Sequence, residues 1–271
     1  MNKATKNALI DVLTWILVLI FFFPVFWMFV NGFKPESIAS SVNPRILFQP
    51  VMTGYDLAMQ RGMTDYLRNS IIAATTATVI VVLLGIPAAY ALSIRKVKAV
   101  EGSLSFFIST RFMPLAAVVL PLYMILKAIG VLDNIWMLAI IYGAVNLPVT
   151  VWMMRSFFLE VPFEIIEAAR VDGAGLLREI VRIVLPLVMP GIAAAALICF
   201  IFSWNEFMFA VNLTATRSAT APVFLVGFIT SEGLFLAQLC AAATLVSLPV
   251  LIAGWAAQDK LVRGLSLGAV K

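Results

Sequence analysis

The residues of this chain that could do chemistry are few and unevenly placed. Thirty positions, Pro162 to Gly191 (PFEIIEAARVDGAGLLREIVRIVLPLVMPG), carry seven charged side chains: Glu164, Glu167, Arg170, Asp172, Arg178, Glu179 and Arg182. The apolar runs on either side carry almost none. Other polar groups set in apolar sequence are Arg111, Asn146, Asn205 and Glu206. A carboxylate inside a membrane is a functional candidate, because burying its charge in hydrocarbon is costly. A structural hydrogen bond to a neighbouring span, or exposure at the rim, is the alternative reading of Glu206. Arg111 could snorkel to headgroups or pair inside the bundle. Asn146, Tyr142, Tyr123, Trp204 and Asn205 could line a path for a polar solute, since hydroxyl-rich solutes need hydrogen-bond partners and aromatic faces. Aromatic residues in spans also serve as packing or interface anchors.

Enzymatic chemistry finds little support. The chain has no His, which removes the commonest general base and metal ligand. Cys199 and Cys240 lie inside apolar runs and offer neither a CxxC site nor a disulfide framework. The spans hold no paired carboxylates, and there is no HExxH or GxSxG context. No catalytic residue, metal site or bound cofactor is expected on this chain.

The elements that must position these residues follow from composition. Of 271 residues, 62% are hydrophobic and only 12% charged, against about 25% charged in a soluble domain. Lipid must therefore be the main solvent. The net charge of +5 does not point to nucleic acid, because the basic residues fall between apolar runs and form no patch. Six stretches are long enough to span a bilayer, at about residues 9–32, 67–94, 104–126, 134–156, 188–213 and 233–258. They are continuous apolar runs without two-residue alternation, so helices are preferred to a barrel. The first run lacks a small-residue cleavage site and reads as a retained span. The expectation is an all-α polytopic membrane protein with one transmembrane domain over residues 1–271.

Basic residues set the orientation. One side carries Lys3, Lys6, Arg95, Lys96, Lys98, Arg155, Arg170, Arg178, Arg182, Lys260, Arg263 and Lys271. The other carries only Lys34, Arg45, Arg61, Arg68, Lys127 and Arg217. The richer side is read as cytoplasmic, which places both termini and the polar module there. The outer connections are residues 33–67, expected to be an irregular loop, then 127–133 and 214–232.

Within the module, Pro162 suits the first turn of a helix and Glu164 the positive end of its dipole. Asp172-Gly173 is a stop and turn signal. A second helix starts near Gly175, with Leu176, Ile180, Ile183 and Val184 on one face and Arg178 and Arg182 on the other. Pro186 and Pro190 should break or kink the start of the fifth span. The product is a helix, a glycine turn and an amphipathic helix. Such a knob suits insertion into another protein's groove. A helix lying on the bilayer surface fits the residues equally well.

Here the chain resembles a family. Glu167-Ala168-Ala169, three residues, Gly173, nine residues, then Ile183-x-Leu185-Pro186 fits the EAA motif of ABC-importer permeases at every position. The wording EAARVDGA, with Asp172 inside it, is similar to the carbohydrate-uptake subclass, in particular to the smaller six-span subunit. So are Ser203-Trp204-Asn205-Glu206-Phe207, Ala89-Tyr90-Ala91-Leu92, Pro121-Leu122-Tyr123 and the C-terminal GLSLGAVK. The resemblance covers about Trp15 to Lys271. It implies the type I ABC-importer permease fold, with the loop 158–190 as the EAA loop and the helix from Pro162 to Gly173 as a coupling helix seated on an ATPase subunit. Glu167, Ala168, Ala169, Asp172, Gly173, Ile183, Leu185 and Pro186 are then the ATPase-coupling residues, with Glu167 meeting a basic residue of the ATPase. The implied partners are a second permease, expected in a hetero-dimer, two ATPase subunits that bind ATP-Mg, and an extracytoplasmic solute-binding protein. The implied location is the bacterial inner membrane. The tail Arg263–Lys271 would reach between the ATPase subunits, and the loop 214–232 would enter the binding protein. The implied solute is a sugar, a sugar alcohol or a related polar molecule such as glycerol 3-phosphate. In the maltose-type arrangement the partner permease supplies most solute contacts. The competing reading is an ion-coupled secondary transporter, which usually carries ionisable groups at mid-membrane; here only Glu206 comes close.

Overall fold

A computed structural model describes residues 3–95, 97–98, 100–230 and 233–267, without the side chains of residues 3, 4, 230, 233 and 259–267. Lys96, Glu232 and Lys271, and the side chains of Lys3, Lys260 and Arg263, lie outside the described residues, and with them most of the tail assigned from the resemblance. The helices are α1 (Lys3–Asn31), α2 (Glu36–Ala39), α3 (Thr53–Gln60), α4 (Met63–Ile94), α5 (Val100–Arg111), α6 (Leu115–Ala128), α7 (Ile135–Leu159), α8 (Phe163–Val171), α9 (Leu176–Arg178), α10 (Leu185–Trp204), α11 (Met208–Leu213), α12 (Ala221–Val226) and α13 (Leu236–Leu267). A π-helical segment, Glu179–Val184, joins α9 to α10. The strands β1 (Ile229–Thr230) and β2 (Gly233–Leu234) pair antiparallel, with Ile229 opposite Leu234.

Among the described residues, five helices are long and apolar enough to cross a membrane, and α5 with α6 makes a sixth if counted as one span. The chain divides into two compact units, one of Met1–Thr64 with Phe224–Leu248, the other of Asp65–Val223 with Pro249–Lys271.

In the first unit, no residue of the apolar window of α1 is buried. The connection expected to be an irregular loop instead holds α2 and α3, because its apolar residues find partners. Tyr55 and Ala58 are buried, and the Tyr55 ring lies 4.9 Å from that of Phe33. The Glu36 carboxylate accepts from the backbone N–H groups of Ala237 and Gln238, which opens α13 with a negative charge at its positive end. Lys34 is only 2% exposed, with its Nζ 4.1 Å from the centre of the Trp27 ring.

In the second unit, α7 and α10 pack tightly along their length. A Cβ at Gly191 would stand 2.1 Å from Cγ of Phe157, so glycine sets how closely the two helices approach. Asn134 starts α7 by accepting from the N–H groups of Trp136 and Met137. Two apolar clusters fill this unit. One gathers Tyr142, Leu138, Phe209 and Leu213, the other Tyr90, Met154, Phe158, Ile166 and Val188.

Three expectations need correction. The third span is not continuous over 104–126: α5 and α6 meet at an 85° bend. Pro114 has no N–H to give and disfavours helical backbone at Met113. The fifth span does not run unbroken to 213. α10 ends at Trp204 and α11 starts at Met208, and the turn between them places the Glu206 carboxylate on the N–H groups of Phe209 and Ala210. Finally, Pro186 and Pro190 do not break the start of that span. Helix runs without interruption from Leu176 to Trp204. The widened π turn precedes Pro186, whose ring would crowd the Arg182 carbonyl in a regular α-helix.

Candidate functional site

The polar module is built by α8, a glycine turn and the Leu176–Val184 helix. Pro162 caps α8 from just outside its first residue. Ile166 and Ala169, three residues apart, face inward and are buried, which leaves Glu164, Glu167 and Ala168 exposed. Asp172 is the C-cap and Gly173 follows at φ +77. The Ala174 N–H donates to the Ala169 carbonyl (2.9 Å) and the Gly173 N–H to that of Arg170 (3.1 Å). This is a Schellman stop, and it requires the left-handed residue that glycine supplies without strain. Ile183 and Leu185 are half-buried and Pro186 is exposed on the following helix. The EAA residues therefore share one module, but Ala169 and Ile166 hold it from within while Glu167 and Ala168 face outward. Val171, Leu176 and Leu177 add exposed apolar area beside them.

Glu179, counted in the sequence only as one of the module's seven charges, is 1% exposed. The Arg170 Nε and a terminal guanidinium nitrogen donate to its two carboxylate oxygens at 2.9 and 3.0 Å, and the Tyr90 hydroxyl donates to one of them. Amphipathic spacing placed Ile180 and Val184 inward. A charge one position before Ile180 gives no sign of burial until its partners are known.

The polar residues of the apolar spans divide. Asn146, Asn205 and Glu206 line one cavity of about 470 Å³ together with Thr110, Arg111 and Tyr142. Asn146 is 4% exposed. Its Nδ2 donates to the Tyr142 carbonyl and to Ser203 Oγ, and its Oδ1 has no partner. Arg111, at the α5–α6 bend, donates to the Val145 carbonyl and lies over the Phe202 ring. Trp204 is buried against Phe200, and Tyr123 packs on the Tyr142 cluster; neither lines the cavity. Glu206 is engaged as the cap of α11, so its charge already meets two backbone donors.

A further polar centre had no signal in the sequence. The Asp133 carboxylate, at φ 54, accepts from the consecutive N–H groups of Ala215, Thr216, Arg217 and Ser218. Asn69 Nδ2 donates to the Arg217 and Ala219 carbonyls, and Ser70 Oγ accepts from the Ala221 N–H. Burial pushes the Asp133 carboxyl up, but the four amides outweigh it and hold the group below the usual carboxylate range.

These features belong to a membrane permease. The chain is a member of the family described as the binding-protein-dependent transport system inner membrane component, which it matches over residues 81–266. It is thus the permease component of an ABC importer, a multi-pass membrane protein that works with another permease, a binding protein and separate ATPase subunits that hydrolyse ATP. Among its relatives is a probable ABC transporter permease of Sinorhizobium fredii, 37% identical over 271 residues, covering 100% of this chain and 98% of that protein. The trehalose transport system permease of Mycobacterium tuberculosis is 32% identical over 100% of this chain and 98% of its own length. The diacetylchitobiose uptake system permease of Streptomyces coelicolor is 32% identical over 92% of this chain and 91% of its own. A solved bacterial ABC transporter that imports the acidic polysaccharide alginate shares the fold, with a TM-score of 0.77 at 21% identity over 96% of this chain and 99% of that one.

Proposed function

We propose that this permease imports a sugar or sugar alcohol, paired with a non-identical second permease in the bacterial inner membrane. In this reading both termini and the polar module face the cytoplasm. The observation that carries the coupling half is the module itself: Glu167 and Ala168 stand outward on α8, whose inner face and glycine stop fix its position. ATP-Mg binds to two ATPase subunits, and their closure moves α8 as a lever that switches the spans between inward- and outward-facing states. Glu167, Ala168, Asp172 and Gly173 form the seat on the ATPase, while Ala169, Ile183, Leu185 and Pro186 tie the seat to the spans. The solute half is supported by the cavity of Asn146, Asn205, Arg111 and Tyr142, which mixes hydroxyl-binding groups with aromatic faces, and by the carbohydrates named for its relatives. The pinned loop 215–218 is the surface offered to the binding protein.

The test is uptake of radiolabelled trehalose, a chitobiose or a polyol into vesicles that hold the complete transporter with its binding protein. Uptake should require ATP inside and survive collapse of the ion gradients. Transport that ends with the ion gradient and ignores ATP depletion would overturn the proposal.

A further inference from the structure

We infer that Arg170, Glu179 and Tyr90 form a transmission clamp, which fixes the coupling helix α8 to the π-helical segment and to α4 so that the three move as one body. The inference rests on reading α8 as the coupling helix. Three elements meet on one carboxylate. Glu179 belongs to the π segment, Arg170 to α8, and Tyr90 to α4. The two oxygens of Glu179 take both guanidinium bonds and the phenol, so the buried charge meets three donors. The clamp is also fenced. The Arg170 guanidinium lies 5.8 Å from the Phe163 ring centre, and that of Arg95 lies 5.7 Å from the Tyr90 ring centre. Arg155 of α7 donates to the Leu92 carbonyl at 3.1 Å, which ties the same end of α4 to a fourth helix.

An apolar contact at this place would hold α8 against the bundle but would let it slide or roll, because dispersion is non-directional. A bidentate guanidinium–carboxylate pair fixes angle as well as distance. A buried ion pair is not an efficient source of stability, and apolar replacements are often neutral or stabilising. Direction is what the pair adds here. Glu179, 1% exposed, is therefore a positioning residue that acts by holding α8.

The test uses the whole transporter in nanodiscs. Spin labels are attached at Val171→Cys on α8 and Leu84→Cys on α4, both exposed positions, while the native Cys199 and Cys240 are buried. Distances between labels are measured with and without ATP-Mg-vanadate. In the parent protein the distribution should stay single and narrow in both states. Arg170→Met/Glu179→Met should still assemble, melt no lower than the parent, and yet show a broadened or split distribution; Tyr90→Phe should broaden it less. A distribution that stays single and narrow in the double variant overturns the clamp. Glu167→Arg, run alongside, separates the two ideas: if that variant keeps its ATPase, the reading of α8 falls whatever the clamp does.

Discussion

Asp133 and Gly173 each carry a consequence that a single substitution exposes. Four backbone amides converge on the Asp133 carboxylate, and its folded pKa lies below the ordinary value of 3.8. A depressed carboxylate stabilises fully above the unfolded value, and that stabilisation is lost as pH falls through the lower folded value. The loop 215–218 should therefore stay pinned at neutral and mildly acidic pH, and loosen only below about pH 4. Asp133→Asn removes the charge at every pH and should cost about 2 kcal/mol of local stability. Hydrogen exchange of the amides of residues 215–218 should then be roughly thirtyfold faster. Gly173 has φ +77 and open space where a Cβ would stand, so strain is the whole penalty of adding one. Gly173→Ala should cost about 1 kcal/mol and Gly173→Asn less, read as shifts in thermal melting. The glycine could be read from the sequence, because Asp172-Gly173 is a stop signal with a mechanism. Asp133 could not, since its partners lie some 80 positions away and are backbone groups that no side-chain pattern records.

At the scale of elements, the α7–α10 contact is set by what Gly191 lacks. Gly191→Ala places a methyl against the Phe157 ring and should cost about 1–3 kcal/mol. Phe157→Ala in the same chain should recover part of that loss, a non-additivity that a double-mutant cycle measures. Apolar length made the spans legible, and the start and stop signals at Pro162 and Asp172-Gly173 made the module legible. The breaks were less so. Pro114 ends a span at an 85° bend, whereas Pro186 and Pro190 lie in continuous helix. The difference is local: a π turn precedes Pro186, while Phe112 and Met113 leave the helix before Pro114. Whether a proline kinks, stops or is absorbed depends on what its neighbours pack against, and hydropathy does not contain that information. The same holds for the span polar residues. Asn146, Asn205 and Glu206 reach one cavity, whereas Tyr123 and Trp204, equally polar-aromatic on paper, point into packing.

At the scale of the whole molecule, the proposed function makes α8 a lever driven from one side of the membrane. Val171 and Val42 are both highly exposed, and the proposed orientation puts them on opposite faces. Val171→Cys should react with a membrane-impermeant maleimide only in inside-out vesicles, and Val42→Cys only in right-side-out ones. ATPase capture reads the exposed face of α8 without intermediate steps. The tagged permease is purified from membranes that hold all the transporter's subunits, as the parent chain and as Glu167→Arg. The parent should bring the ATPase with it, and Glu167→Arg should lose at least about tenfold of it, the effect of roughly 1.4 kcal/mol at a charge-assisted interface contact. An unchanged yield of bound ATPase, with ATP-driven uptake intact, would show that α8 does not seat on the ATPase through Glu167.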